Sequence, residues 1–196
     1  MNRLLMVGIA GGCVAWLTSS GCCSAGGGGS SDGAVAISSG RASRPQVYYN
    51  PRARAIKRVA VMPFKAPTEL IGSSVSDMFV SELLHNGRYE LVERSQMSNV
   101  LGEAEVSLSG LTSGQAVELG TMTGAEGVII GTVGEYEMAA RRGRTVPVVA
   151  ITSRLIDCTS GQVVWSVDYA AQASTSSTLS EHARHAVRQM VSAIRK

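Results

Sequence analysis

The chain has 196 residues, 18 lysines and arginines against 15 aspartates and glutamates, a net charge of +3 and four cysteines. That length holds one domain of ordinary size plus a tail, and four cysteines do not make the framework of a disulfide scaffold. No aromatic-basic motif appears in the chain, which makes nucleic-acid binding the poorer reading.

The N-terminus reads as an export signal. Arg3 supplies a short positive region, Leu4 to Leu17 are apolar with interrupting glycines, and Ser19-Ser20-Gly21 are small residues directly before Cys22. The apolar run is shorter than the roughly 20 residues a membrane-spanning helix requires. Small residues abutting a cysteine resemble the box at which bacterial lipoproteins are cleaved and acylated, which makes Cys22 the expected lipidation site. Cys13, after Ala10-Gly11-Gly12, is a second such box, and an ordinary cut near Ala25 would leave an unanchored protein. With Cys22 first, no aspartate follows to resemble an inner-membrane retention signal, so the periplasmic face of the outer membrane is the implied location.

Residues 1–21 are thus expected to be a signal peptide, 22–56 a flexible basic linker, and 57–196 a single α/β domain. The run from Gly26 to Ser31 and the polar stretch from Ser38 to Pro51 carry the linker assignment. As a coil, such a tether spans roughly 30 Å end to end. Of the cysteines left after cleavage, Cys158 reads as a small apolar residue at a strand end, although a bridge to Cys23 is open in an oxidising compartment.

The elements of the domain are predicted in the order β-α-β-α-α-β-β-β-α. Val59 to Phe64 is a short apolar run ending near a proline and reads as a buried strand. Val75, Met78, Phe79 and Leu83 fall at helical spacing in a helix from Ser74 to Asn86, with Ser74 and Asp77 as its cap and Gly87 as its stop. A strand follows at 89–92, then a helix at 96–104 capped by Ser95, then one from Ser113 capped by Thr112 and Gln115. Val128 to Met138 and Val146 to Ile156 form a hairpin across a turn at Arg141-Arg142-Gly143-Arg144. Asp157 to Gly161 is a tight turn. Val163, Trp165, Val167 and Tyr169 then alternate toward one face of a last strand. Thr178 and Glu181 cap the closing helix, whose core face is Ala183, Val187, Met190 and Ile194. The fold class is therefore a mixed β-sheet with packed helices.

Motifs for chemistry are sparse. The chain contains neither the glycine-rich phosphate loop ending in Lys-Ser/Thr nor a Gly-x-Ser-x-Gly elbow. His182 and His185 stand three apart on the last helix, but without a third ligand they read as a solvated face rather than a metal site. Glu90 with Glu93, and Glu103 with Glu105, are close in sequence only, whereas acid–base pairs must face one another across a cleft. No catalytic residue, cofactor or metal is expected. Charge is distributed in blocks. Residues 33–68 hold seven bases and no acids, 69–138 eleven acids and two bases, and 139–196 eight bases and three acids. Such blocks suit electrostatic contact with anionic headgroups, with a protein partner or with another copy of the chain. Arg141, Arg142 and Arg144 are the expected partner-binding residues, because clustered guanidiniums gain nothing from packing and can grip carboxylates or phosphates. A solvated tip kept charged for solubility is the alternative.

The runs Arg58 to Phe64, Ser76-Asp77-Met78 through Gly87-Arg88-Tyr89, Val92 to Gln96, Ala125 to Gly131 and Leu155 to Trp165 resemble the CsgG-type curli-assembly lipoproteins. The fold of lipoproteins that activate penicillin-binding proteins is related. The resemblance implies a non-enzymatic assembly or adaptor protein that binds envelope or secretion proteins and can form homo-oligomers. An activator of a peptidoglycan synthase is the alternative it carries, and an envelope enzyme with an unrecognised site the remaining one. The curli channel's two long membrane-crossing insertions have no counterpart, since Ala139 to Thr145 is a short basic turn and Ala170 to Thr178 a small polar connector, and neither has room for a hairpin of two strands of about 9 to 11 residues each.

Overall fold

Alternating and continuous apolar runs rich in valine and isoleucine build a six-stranded sheet in this computed structural model, which describes residues 44–92, 112–141, 143–173 and 177–194. The strands are β1 (Gln46–Tyr49), β2 (Arg58–Val61), β3 (Glu90–Val92), β4 (Gly127–Arg141), β5 (Arg144–Asp157) and β6 (Val163–Gln172). Their spatial order is β1-β6-β5-β4-β2-β3. β2 runs parallel to β3 and β4, while β4, β5, β6 and β1 pair antiparallel in turn. Three helices complete the described residues: α1 (Glu69–Asn86), α2 (Ser113–Met122) and α3 (Leu179–Ala193). This is the mixed α/β domain expected. The helix expected at 96–104, like Cys22, lies outside the described residues.

The sheet buries a layer on each face. On one face Val59, Val61, Ile129, Val149, Ile151, Leu155, Trp165 and Val167 meet Val75, Phe79 and Leu83 of α1 and Ala183, Val187 and Met190 of α3. Phe64 and Phe79 pack there with ring centroids 5.5 Å apart and planes tilted by 55°, a favourable aromatic geometry. The smaller layer joins Ala60, Met62, Val92 and Val128 to Ala116 and Leu119 of α2.

Three local expectations are corrected. The helix read as starting at Ser74 begins at Glu69, where Thr68 accepts a bond from the Ile71 amide at 3.3 Å. Gly72, ahead of the expected start, sits inside that first turn. A side chain there would collide with the Phe64 carbonyl oxygen, so the glycine serves close approach rather than termination. The linker read as running to residue 56 already contains β1, whose Val47 and Tyr49 pack against the core, and the buried Ile56. Four residues of alternation are too few to stand out in a polar basic segment. Lastly, Val163 is exposed although Trp165, Val167 and Tyr169 are buried. The register slips between Leu155–Trp165 and Ile156–Val163, and this bulge takes Val163 out of the alternation.

Candidate interaction site

The β4–β5 hairpin carries the arginines singled out in the sequence. Its strands pair from Gly127–Asp157 to Arg141–Arg144, so Arg141 and Arg144, read as turn residues, are the last paired residues of the two strands. Gly143 takes the left-handed conformation at φ 74°, which a glycine adopts without the penalty a side chain incurs. Arg141 and Arg144 stand directly opposite each other and both are exposed. Arg142 lies outside the described residues. The register shifts between Val133 and Glu135, and beyond this bulge Glu135, Glu137, Ala139 and Arg141 fall on one face of the hairpin. One carboxylate oxygen of Glu135 is buried without a hydrogen-bond partner.

A second polar cluster, not anticipated from sequence, closes the opposite end of the sheet. Arg54, in the segment after β1, bonds Asp157 at 2.8 Å, the Glu126 carbonyl at 3.2 Å and the Thr159 hydroxyl at 3.2 Å. The Arg54 guanidinium holds the Asp157 carboxyl at about 2, against the opposing effect of burial, with help from the Thr159 amide and the Ser160 hydroxyl. The Glu126 carboxyl is also lowered, by the amides of Lys57 and Arg58 that donate to it at 2.7 and 3.3 Å. This cluster is a clamp. It ties the segment between β1 and β2 to the start of β4 and to the β5–β6 turn.

The remaining candidates separate. His182, read as part of a solvated face, is buried and its Nε2 lies 3.1 Å from the Ala171 carbonyl, which makes that nitrogen the donor. His185 is exposed on the same helix. Among the described residues no three His, Cys, Asp or Glu side chains gather as a metal site would need. Cys158 is a free, half-buried thiol whose pKa burial raises, which disfavours the reactive thiolate. A shallow open hollow lies over Ile130, Thr132, Thr152 and Arg154. Ser153, behind it, spends its hydroxyl on the Ile130 carbonyl at 3.2 Å.

Together these features define an α/β domain whose prominent surface element is a charged hairpin. The chain belongs to the CsgG family, described as the curli production assembly/transport component, whose model matches residues 55–186. No curated protein matches it. Among solved structures, a dodecamer of a PelC variant from Paraburkholderia phytofirmans is 24% identical with a TM-score of 0.56, covering 76% of this chain and 94% of that one. Lipoprotein GNA1162 from Neisseria meningitidis is 17% identical with a TM-score of 0.53, covering 70% and 97%. The LpoB C-terminal domain from Salmonella enterica is 19% identical with a TM-score of 0.47, covering 63% and 87%. At these identities the likeness to PelC and GNA1162 is one of fold. No described helix is long and apolar enough to cross a membrane.

Proposed function

We propose that this chain is a lipid-anchored adaptor of the bacterial envelope, held by Cys22 at the periplasmic face of the outer membrane. It binds protein partners in secretion or envelope assembly and performs no catalysis of its own. Family membership over residues 55–186 supports an assembly role. The observation that carries the reading is the exposed hairpin tip, where Arg141 and Arg144 face each other across the strands. Like charges directly opposite in a sheet are unfavourable, and an anionic partner relieves them. The dodecameric state named for PelC supports assembly with further copies. The hairpin reaches past β6 only from Met138 to Arg141 and from Arg144 to Pro147, because Val148 pairs with the last residue of β6, Gln172. Four residues per strand fall well short of the 9 to 11 that cross a membrane, so a pore formed from this hairpin is not part of the proposal.

Crosslinking in intact cells followed by affinity capture tests this reading. Replacing Arg141, Arg142 and Arg144 with serine should leave the melting temperature nearly unchanged and reduce capture of the wild-type partner, most strongly at low salt. Unchanged capture at low salt would make the tip a solvated turn.

A further inference from the structure

The chain enters the domain at the end of the sheet from which the hairpin projects. β1 runs antiparallel to β6, with Tyr49 opposite Trp165 and Gln46 opposite Asp168, so β1 begins toward the end at which β6 finishes. The hairpin passes that end, since Val148 pairs with Gln172 and the strands continue to Arg141–Arg144. Gln46 is level with Thr152 through Asp168, and eight residues of strand, about 27 Å, separate Thr152 from Arg144. What the tip presents is basic and apolar. Ala140, Arg141, Arg144 and Thr145 are exposed, and Met138 is 46% exposed. Neither Arg141 nor Arg144 has an ion-pair partner among the described residues. Glu137, the nearest acid on the same strand, stands four residues, about 13 Å, back from Arg141. Val146 and Val148 behind the tip are buried, so the hairpin is open to contact at its end and not along its length.

Arginines at an exposed tip beside apolar side chains suit the headgroup layer of a membrane, where guanidiniums meet phosphates and a methionine enters the boundary with the acyl chains. We infer that the hairpin tip docks end-on against the anionic phospholipid surface of the membrane that holds the tether. The inference rests on the proposed reading of the tip as a contact for an anionic partner and names the headgroup layer as that partner. A protein captured through the tip is then one met at this surface. A tether joined at the tip end lets the tip approach the membrane directly. One joined at the opposite end would have to pass the whole length of the sheet before the tip could reach the same surface. The attraction of a few exposed arginines is modest and screened by salt, so the free domain binds weakly. The anchor strengthens the contact by raising the effective concentration of the tip at the membrane.

Vesicle binding tests it. The processed chain from residue 22, carrying Cys22→Ala so that acyl groups cannot hold it, is sedimented with vesicles of phosphatidylglycerol mixed with phosphatidylcholine and with vesicles of phosphatidylcholine alone. It should bind the first at low salt, leave them at high salt and ignore the second. Arg141→Ser with Arg144→Ser should bind about tenfold more weakly. Arg52 and Lys57 are exposed at the opposite end of the sheet, and Arg52→Ser with Lys57→Ser, which removes the same charge there, should bind like the reference. Ala140→Trp puts an indole in the tip, and its emission should shift to the blue on the phosphatidylglycerol vesicles while the buried Trp165 contributes no change. Circular dichroism melts establish that each variant is folded, and Thr145→Trp replaces Ala140→Trp if it is not. A reference chain that does not bind, equal losses at the two ends of the sheet, or an indole whose emission does not move overturns the inference. The capture experiment in cells separates that failure from failure of the proposed function. Lost capture by the serine variant without vesicle binding gives the tip to an acidic protein, whereas unchanged capture without vesicle binding makes it a solvated turn.

Discussion

Trp165 Nε1 donates a hydrogen bond of 3.0 Å to the Tyr89 hydroxyl, and both rings are buried. The bond joins β6 to the residue that leads into β3, at opposite sides of the sheet order. Around it, the Tyr49 hydroxyl bonds the Ala193 carbonyl at 3.4 Å and Arg88 bonds the Ile194 carbonyl at 3.2 Å. These last two contacts satisfy carbonyls at the end of α3 that no helical amide reaches. Arg88 also stacks over the Tyr89 ring, 5.3 Å from its centroid. Tyr49 and Arg88, from the two sides of the sheet, thus fasten the end of the closing helix.

Trp165 is 1% exposed, and Trp165→Ala should destabilise the domain by about 3 to 5 kcal/mol through lost burial and the cavity left behind. Tyr89→Phe keeps the ring but strands the indole N–H, at a cost of about 1 to 3 kcal/mol. Thermal and urea melts measure both. A tryptophan variant that melts like the wild type would place the ring outside the core.

Asp157 makes stability depend on acid pH. Its folded pKa, about 2, lies below the usual aspartate value. The unfolded chain therefore binds the proton more readily, and the stabilisation is present above the usual value and lost as pH falls from near 4 toward 2. Asp157→Asn should lower stability at neutral pH by about 1 to 2 kcal/mol, a figure kept small because Arg54 is partly solvated. Between pH 4 and 2 the difference between the variant and the wild type should shrink, in urea titrations across that range. A difference that stays constant would remove the Arg54–Asp157 bond from the account.

Gly72 has no room for a methyl group beside the Phe64 carbonyl. Gly72→Ala should destabilise by about 1 to 3 kcal/mol, despite alanine's better helix propensity. An increase in melting temperature would show that the start of α1 can move away from β2 at little cost.

What was legible in the sequence was local. Thr112 with Gln115 and Thr178 with Glu181 each form the reciprocal cap that their three-residue spacing signals. The inward set Trp165, Val167 and Tyr169 followed from period-two alternation. Val163 did not, because a bulge arises from pairing between strands and leaves no mark within one of them. The start of α1 was misplaced because a glycine and two serines look like a break, whereas Gly72 answers to Phe64 across the fold. His182 looked solvated for a similar reason, since its partner carbonyl belongs to β6. Of the candidate surface, the basic tip was visible as a run of arginines. The Arg54–Asp157 clamp was not, because its partners lie 103 residues apart and Asp157 alone read as a turn residue.

The anchor at Cys22 is the claim from which the envelope role follows, and the intact mass of the mature protein purified from membranes tests it most directly. The account predicts a chain beginning at Cys22 with the added mass of acyl groups. It also predicts release from membranes on Cys22→Ala, since each buried methylene of the lost chains contributes about 0.8 kcal/mol. A mature mass without acyl groups would contradict the anchor and with it the proposed place of the protein in the cell.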